Sequence, residues 1–332
     1  MESQPKNLIR TLDIKECKLC GNIKDNELFS VKEMQLGLRE FFTYMHCANC
    51  GCLQLLDIPL NLSKYYPTKE YYSFKHSLVF PKRPDILRKI KASYLLYGKN
   101  RLLGSLLSIG YKIPEYYNWL KIPKIKFDDS ILDVGTGNGE LLLNLFKIGF
   151  TNLTGIDPFI EREQHYGNIT VYKKNIFEIE GRYDYIMLNH VFEHMEEPKK
   201  VLKKLYQLLN PQKYVLIRTP VMGTYNWNKY RENWMELDAP RHLFIHSLKS
   251  IQLLSKESGF ELRKIIFDDN EFSLIGSELY KKDIPLSDPK SYINNKKTPL
   301  FTAREIKVYK EIAKKNNEEQ QGGRAAFYLY KS

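Results

Sequence analysis

The chain has 332 residues, 43% of them hydrophobic and 27% charged, and a formal net charge of +12. That length suits about two domains with buried cores, no run approaches the ~18 apolar residues of a membrane span, and MESQPKNLIR carries no apolar leader core. The cytoplasm is therefore the expected compartment, and the lysines, scattered in doublets such as Lys173-Lys174 and Lys203-Lys204, describe a solvated basic surface or a taste for phosphorylated ligands before a nucleic-acid stripe.

All five cysteines fall between residues 17 and 52. Cys17-Lys18-Leu19-Cys20-Gly21 and Cys47-Ala48-Asn49-Cys50-Gly51 are two knuckles whose paired thiolates have the spacing of tetrahedral zinc, with a disulfide framework as the competing reading. Four thiolates leave no open position, so zinc on Cys17, Cys20, Cys47 and Cys50 is structural; Cys52 is a bystander and His46 the one substitute ligand. Residues 14–56 form this module. An aromatic stretch, residues 65–77, follows, and then Pro84 to Gly110 reads as one or two amphipathic helices with Ile86, Ile90, Tyr94 and Leu95 on one face. Residues 57–125 are expected to be a helical cap and linker.

From Ser130 the pattern alternates strand and helix, as a parallel sheet requires. The expected strands are 130–134, 153–156, 169–172, 184–188, 213–219 and 260–267. The first of them runs through Asp133 into Gly135-Thr136-Gly137-Asn138-Gly139 and a helix bearing Leu141, Leu142, Leu145 and Phe146. Glycines there allow positive φ and close approach of a ligand, and the helix start offers free N–H groups. Asp157 ends the next strand, where an acid accepts both hydroxyls of a ribose. A helix from Pro198 carries Val201, Leu202, Leu205, Leu208 and Leu209, Ser247 caps another, and residues 324–331 give a last strand after an insertion, 271–322.

Three glycines in G-x-G-x-G spacing, an acid before them and a second acid after the next strand resemble the class I S-adenosylmethionine-dependent methyltransferases. That resemblance implies a Rossmann-like α/β fold with a seven-stranded sheet over residues 126–332, here with an N-terminal zinc knuckle module and helical cap. It implies that Asp133, Gly135, Thr136, Gly137 and Gly139 hold the methionine end of S-adenosyl-L-methionine. Asp157 takes the ribose, Asn175 and Ile176 flank the adenine, Asn189 lines the floor of the methyl-transfer pocket, and His190 is a further cofactor-binding candidate.

Tyr71-Tyr72-Ser73 after a zinc module, and Arg241-His242-Leu243 ahead of Ser247, resemble bacterial sugar C-methyltransferases. In that family a Tyr-Tyr-Ser segment reaches the active site and the histidine of E-H-L-x-Y-F-S is a base. The resemblance makes His242 the candidate base and Tyr72 a candidate for substrate contact. The family's glutamate is Arg241 here, so O-methylation is favoured over C-methylation. His190-x-x-Glu193-His194 also spells an inverted zinc-protease motif, but Pro198 leaves no long helix to carry it. His194 is a second catalytic candidate, with cofactor sensing or a structural pairing to Glu193 as its other roles. The expected acceptor is a sugar or nucleotide-linked sugar for a bacterial surface glycan. A zinc-containing RNA methyltransferase, with nucleic acid as partner, is the alternative.

Overall fold

The computed structural model describes residues 15–66, 78, 81–167 and 169–332. The chain opens with an antiparallel meander of β1 (Glu27–Lys32), β2 (Phe41–His46) and β3 (Leu53–Leu55). Helices α1 (Ile86–Tyr97), α2 (Arg101–Leu106) and α3 (Tyr116–Lys121) follow. Asp85 starts α1 by accepting from Arg88 N–H at 3.0 Å, and Gly98 ends it in the left-handed region.

The alternating part then runs β4 (Ile131–Val134), α4 (Glu140–Lys147), β5 (Leu153–Ile156), β6 (Gln164–Tyr166), β7 (Ile169–Tyr172), β8 (Tyr183–Asn189) and α5 (Pro198–Leu208). It continues through β9 (Leu209–Met222), α6 (Tyr225–Tyr230), β10 (Phe244–Ser247), α7 (Leu248–Glu257) and β11 (Glu261–Phe267). Helices α8 (Glu271–Lys281) and α9 (Ala303–Glu318) form the insertion before β12 (Arg324–Lys331).

Seven strands in the order β7-β5-β4-β8-β9-β12-β11, with β12 antiparallel to both neighbours, make the expected Rossmann-like core. The sheet nevertheless has twelve strands, not seven. Strand β9 is the reason. Its residues 213–220 pair with β12, but Val221 and Met222 outrun that partner and pair with β10. Strand β10 then accepts β3, which brings the whole meander into the sheet. β6 adds an edge hairpin to β7.

All four residues of β4 are buried, as a strand covered on both faces must be. One face packs Val201, Leu202, Leu205 and Leu208 of α5 in a core shared with the cysteine module. Burying each such side chain stabilises by roughly 1.5–3 kcal/mol, so this shared core ties module to sheet. The other face packs Leu142, Leu145 and Phe146 of α4 together with Ala92 of α1 and Trp119 and Leu120 of α3. The helices expected as a cap thus lie beside α4; Ile86 is exposed, and α1 buries Ala92 and Ser93 instead. The insertion packs Ile275, Leu279 and Tyr280 against Met34 of the module. No helix among the described residues is long and apolar enough to cross a membrane.

Candidate active site and cysteine cluster

The turn from β4 to α4 holds Gly135, Gly137 and Gly139 at φ of 71°, 56° and 86°. At Gly135 a side chain is barred twice over, since a Cβ would stand 2.3 Å from Val191 Cγ2. Asp157, at the end of β5, reaches back into this turn. Its Oδ2 accepts from Gly137 N–H at 3.0 Å and its Oδ1 from Phe159 N–H at 2.8 Å. A cavity of about 640 Å³ opens here at the carboxyl ends of the strands, lined by Gly135, Asp157, Asn175, Ile176, Asn189 and His190 among others. Leu62, Ser63 and Tyr66, from the segment that follows the cysteine module, also line it, with the Tyr66 ring stacked on Phe159 at 5.8 Å. Asp133 is buried behind the turn, and that burial pushes its carboxyl up to about 7. Asn175 lines the cavity, but its carbonyl already accepts from Phe177 N–H at 2.8 Å, leaving one lone pair for a ligand.

Beyond Asn189 the chain turns through His190, whose φ of 55° is left-handed. Buried Arg218 of β9 fixes this corner, donating from Nη1 to Asn189 Oδ1 and to His190 Nε2, both at 3.0 Å. An arginine only donates, so His190 carries its proton on Nδ1, which faces Glu193 Oε1 at 3.3 Å. Arg218 is itself held by Asp268 at 2.5 Å and Glu115 at 2.9 Å. Burial lowers His190 to about 4. Burial alone would raise Glu193; contact with His190 and the fields of His242 and His194 hold it far below the usual carboxylate range instead.

His194 and His242 come from distant segments and meet with ring centroids 4.7 Å apart. His194 Nδ1 lies 2.8 Å from the Arg241 carbonyl oxygen, and His242 Nδ1 lies 2.7 Å from that of Glu236. Carbonyls only accept, so each ring donates through Nδ1, and in the neutral imidazole Nε2 keeps the lone pair. Burial, then the field of His242, lowers His194 to about 4. A second cavity of about 200 Å³ lies against both rings, lined also by Gln35, His190, Met235, Glu236, Asp238, Arg241 and Leu286. His190 and His194 border both cavities. Arg241 is paired with Asp238, and Ser247 caps α7. Tyr71, Tyr72 and Ser73 lie outside the described residues.

Arg218, Tyr66 and the closeness of Glu193 to His242 were not foreseen. An arginine inside the apolar run Tyr214-Val215-Leu216-Ile217-Arg218 was the one available signal.

The sulfurs of Cys17, Cys20, Cys47 and Cys50 all lie within 4.8 Å of one another, and none of the five cysteines is in a disulfide. Cys50 N–H points at Cys47 Sγ from 3.4 Å, the knuckle geometry. Cys52 packs as a neighbour, its sulfur 3.4 Å from that of Cys50. His46 sits against Phe29 and Trp227.

Residues 99–265, half of the chain, match a family described as methyltransferase domain. The EEF1A lysine methyltransferase 2 of Homo sapiens is 32% identical over 133 residues, covering 33% of this chain and 53% of that protein. The mitochondrial ubiquinone biosynthesis O-methyltransferase of Saccharomyces cerevisiae is 28% identical over 109 residues, covering 28% of this chain and 33% of that protein. The chain thus spans about half the length of the first relative and a third of the second. Among solved structures, the cyclopropane synthase MmaA2 of Mycobacterium tuberculosis aligns with a TM-score of 0.40 at 14% identity, over 61% of this chain and 78% of that one.

Proposed function

The chain belongs to the methyltransferase domain family, and we propose that it transfers a methyl group from S-adenosyl-L-methionine to a small hydroxylated acceptor, a sugar or nucleotide-linked sugar. The larger cavity fits the cofactor. It joins a glycine turn that tolerates no Cβ at Gly135, the ribose-directed acid Asp157, and Asn175 and Ile176 for the adenine. Thr136, Gly137 and Gly139 complete the turn. Asp133, whose carboxyl burial raises to about 7, can ionise toward the cationic methionine end. The bound cofactor supplies an electrophilic methyl group; everything else falls to the protein.

One observation carries the acceptor reading. Two imidazoles stand 4.7 Å apart, each tied through Nδ1 to a carbonyl, beside a small polar chamber that shares His190 and His194 with the cofactor cavity. Methyl transfer needs in-line attack, and a hydroxyl attacks poorly until its proton is drawn off. His242 activates that hydroxyl through its Nε2 lone pair, with His194 as the neighbouring wall. Oxygen is the favoured nucleophile because Arg241 takes the sequence position of the glutamate in the sugar C-methyltransferase pattern that this segment resembles. A lysine side chain is the second reading, favoured by the name of the human relative and by Glu236 and Asp238 at the chamber. An RNA acceptor suits a chamber of about 200 Å³ roofed by Gln35 and Leu286 less well.

The cysteine cluster supports one structural zinc on Cys17, Cys20, Cys47 and Cys50.

The test is calorimetry with S-adenosylhomocysteine, followed by tritium transfer from the labelled cofactor to nucleotide sugars, lysine peptides and RNA. Transfer to a nucleotide sugar, lost in His242→Ala, supports the leading reading. Transfer to peptide alone selects the second. RNA methylation that collapses with rising salt overturns both.

A further inference from the structure

We propose that Glu193, His194 and His242 form a divalent-cation site at the junction of the two cavities. Each residue offers one donor atom, and the three atoms lie within 4.8 Å of one another. Ligands at ~2.1 Å from one tetrahedral ion stand ~3.4 Å apart, so the rings need to close in by about 1 Å.

The first support is the state of Glu193. Its side chain is fully buried, and Oε2 accepts from the Thr219 hydroxyl at 2.9 Å. Oε1 faces His190 Nδ1, which carries the ring proton, at 3.3 Å and His242 Nε2 at 4.0 Å, so one neutral imidazole N–H is what meets it. A buried carboxylate met by neutral donors alone still costs free energy unless something positive comes to it.

The second support is the orientation of the histidines. Nδ1 of His194 and of His242 is committed to a backbone carbonyl, the outer contact that fixes a ligating imidazole and turns its other nitrogen to the metal. Arg218 holds His190 against Glu193 in the same way. Asp238 Oδ2 lies 3.6 Å from His242 Nε2 but is neutralised by Arg241.

Donor chemistry sets the ion class. Two imidazoles and a carboxylate suit a first-row divalent ion such as manganese or cobalt and differ from the thiolate cluster, which holds softer metals. Three protein ligands leave coordination positions open, and the adjoining chamber would let an acceptor oxygen take one of them. Glu193 and His194 thus come from one turn, and the third ligand, His242, comes from another segment, after β9. The proposal rests on the methyltransferase reading; with the ion bound, His242 Nε2 serves as a ligand, and the ion in its place would lower the proton affinity of a coordinated acceptor hydroxyl so that its proton can leave to solvent.

Mn²⁺ alone, titrated into the full-length protein by calorimetry and electron paramagnetic resonance, tests it, because manganese competes poorly for thiolates. One Mn²⁺ per chain is expected, with affinity falling at least about tenfold in both Glu193→Gln and His242→Gln. Binding of S-adenosylhomocysteine stays intact in both variants and shows that each is folded. Absence of Mn²⁺ binding to the parent, or binding in either variant undiminished from the parent's, overturns the cation site and leaves the methyltransferase reading standing. Failure of the parent to bind S-adenosylhomocysteine strikes at that reading instead.

Discussion

The Tyr44 hydroxyl donates a hydrogen bond to the backbone carbonyl oxygen of His242 across 2.8 Å, and both residues are buried. Tyr44 belongs to the cysteine module and His242 to the loop between α6 and β10, so the module sets the position of that loop. Tyr44→Phe keeps the ring and strands the carbonyl, a loss of about 1–3 kcal/mol for a buried acceptor. Urea unfolding should show that loss, with S-adenosylhomocysteine affinity unchanged. An unaltered midpoint would mean the loop holds itself.

Asp157 serves two partners before any ligand arrives, Gly137 N–H and Phe159 N–H. Asp157→Ala removes the acceptor proposed for the ribose and also the Gly137 contact that ties down the glycine turn. Hydrogen bonds to charged groups are worth ~1.5–3 kcal/mol, so cofactor affinity should drop roughly ten- to a hundredfold by calorimetry. Asp157→Asn keeps the shape and should fall between variant and parent.

Local patterns were legible and long-range pairings were not. The run Arg324 to Lys331 reads as a strand to the residue, because alternation and apolar content are written in the segment itself. Glycine turn and Asp157 are likewise neighbours through one strand–helix–strand unit. Strand β10 escaped because Phe244-Ile245-His246-Ser247 is short and follows a turn-rich stretch; it is a strand only where β9 and β3 meet it. The pairing of Phe244 with Gln54 spans most of the chain, and no spacing rule announces it. The cluster of Glu193 with His194 and His242 is of this second kind. Glu193, His194 and His242 converge from a short turn after β8 and a loop after β9, with Arg218 behind them.

Cysteine substitutions separate the four expected zinc ligands from the fifth sulfur. Cys20→Ser should lose zinc by mass spectrometry and lower the melting temperature, since binding energy at such a site is folding energy. Cys52→Ser should keep one zinc per chain, although its sulfur lies 3.6 Å from Cys17 and 3.4 Å from Cys50. Zinc loss in Cys52→Ser and retention in Cys20→Ser would reassign the ligand set.

His246 makes the most direct prediction about acid. It is fully buried, and its ring stacks between Phe192 at 4.7 Å and Phe244 at 5.8 Å. Among the described residues neither ring nitrogen has a hydrogen-bond partner. Burial lowers it to about 4, against ~6.5 in an unfolded chain. Between those two values the unfolded state binds the extra proton, so stability rises with pH there. Its contribution is complete above ~6.5 and is lost as pH falls toward 4, up to on the order of 3 kcal/mol. His246→Phe keeps a flat ring between the two phenylalanines and removes the titration. Urea unfolding at steps from pH 7.5 to 4.5 should therefore show a shallower acid decline in His246→Phe than in the parent. Parallel declines would place the acid sensitivity of the fold elsewhere.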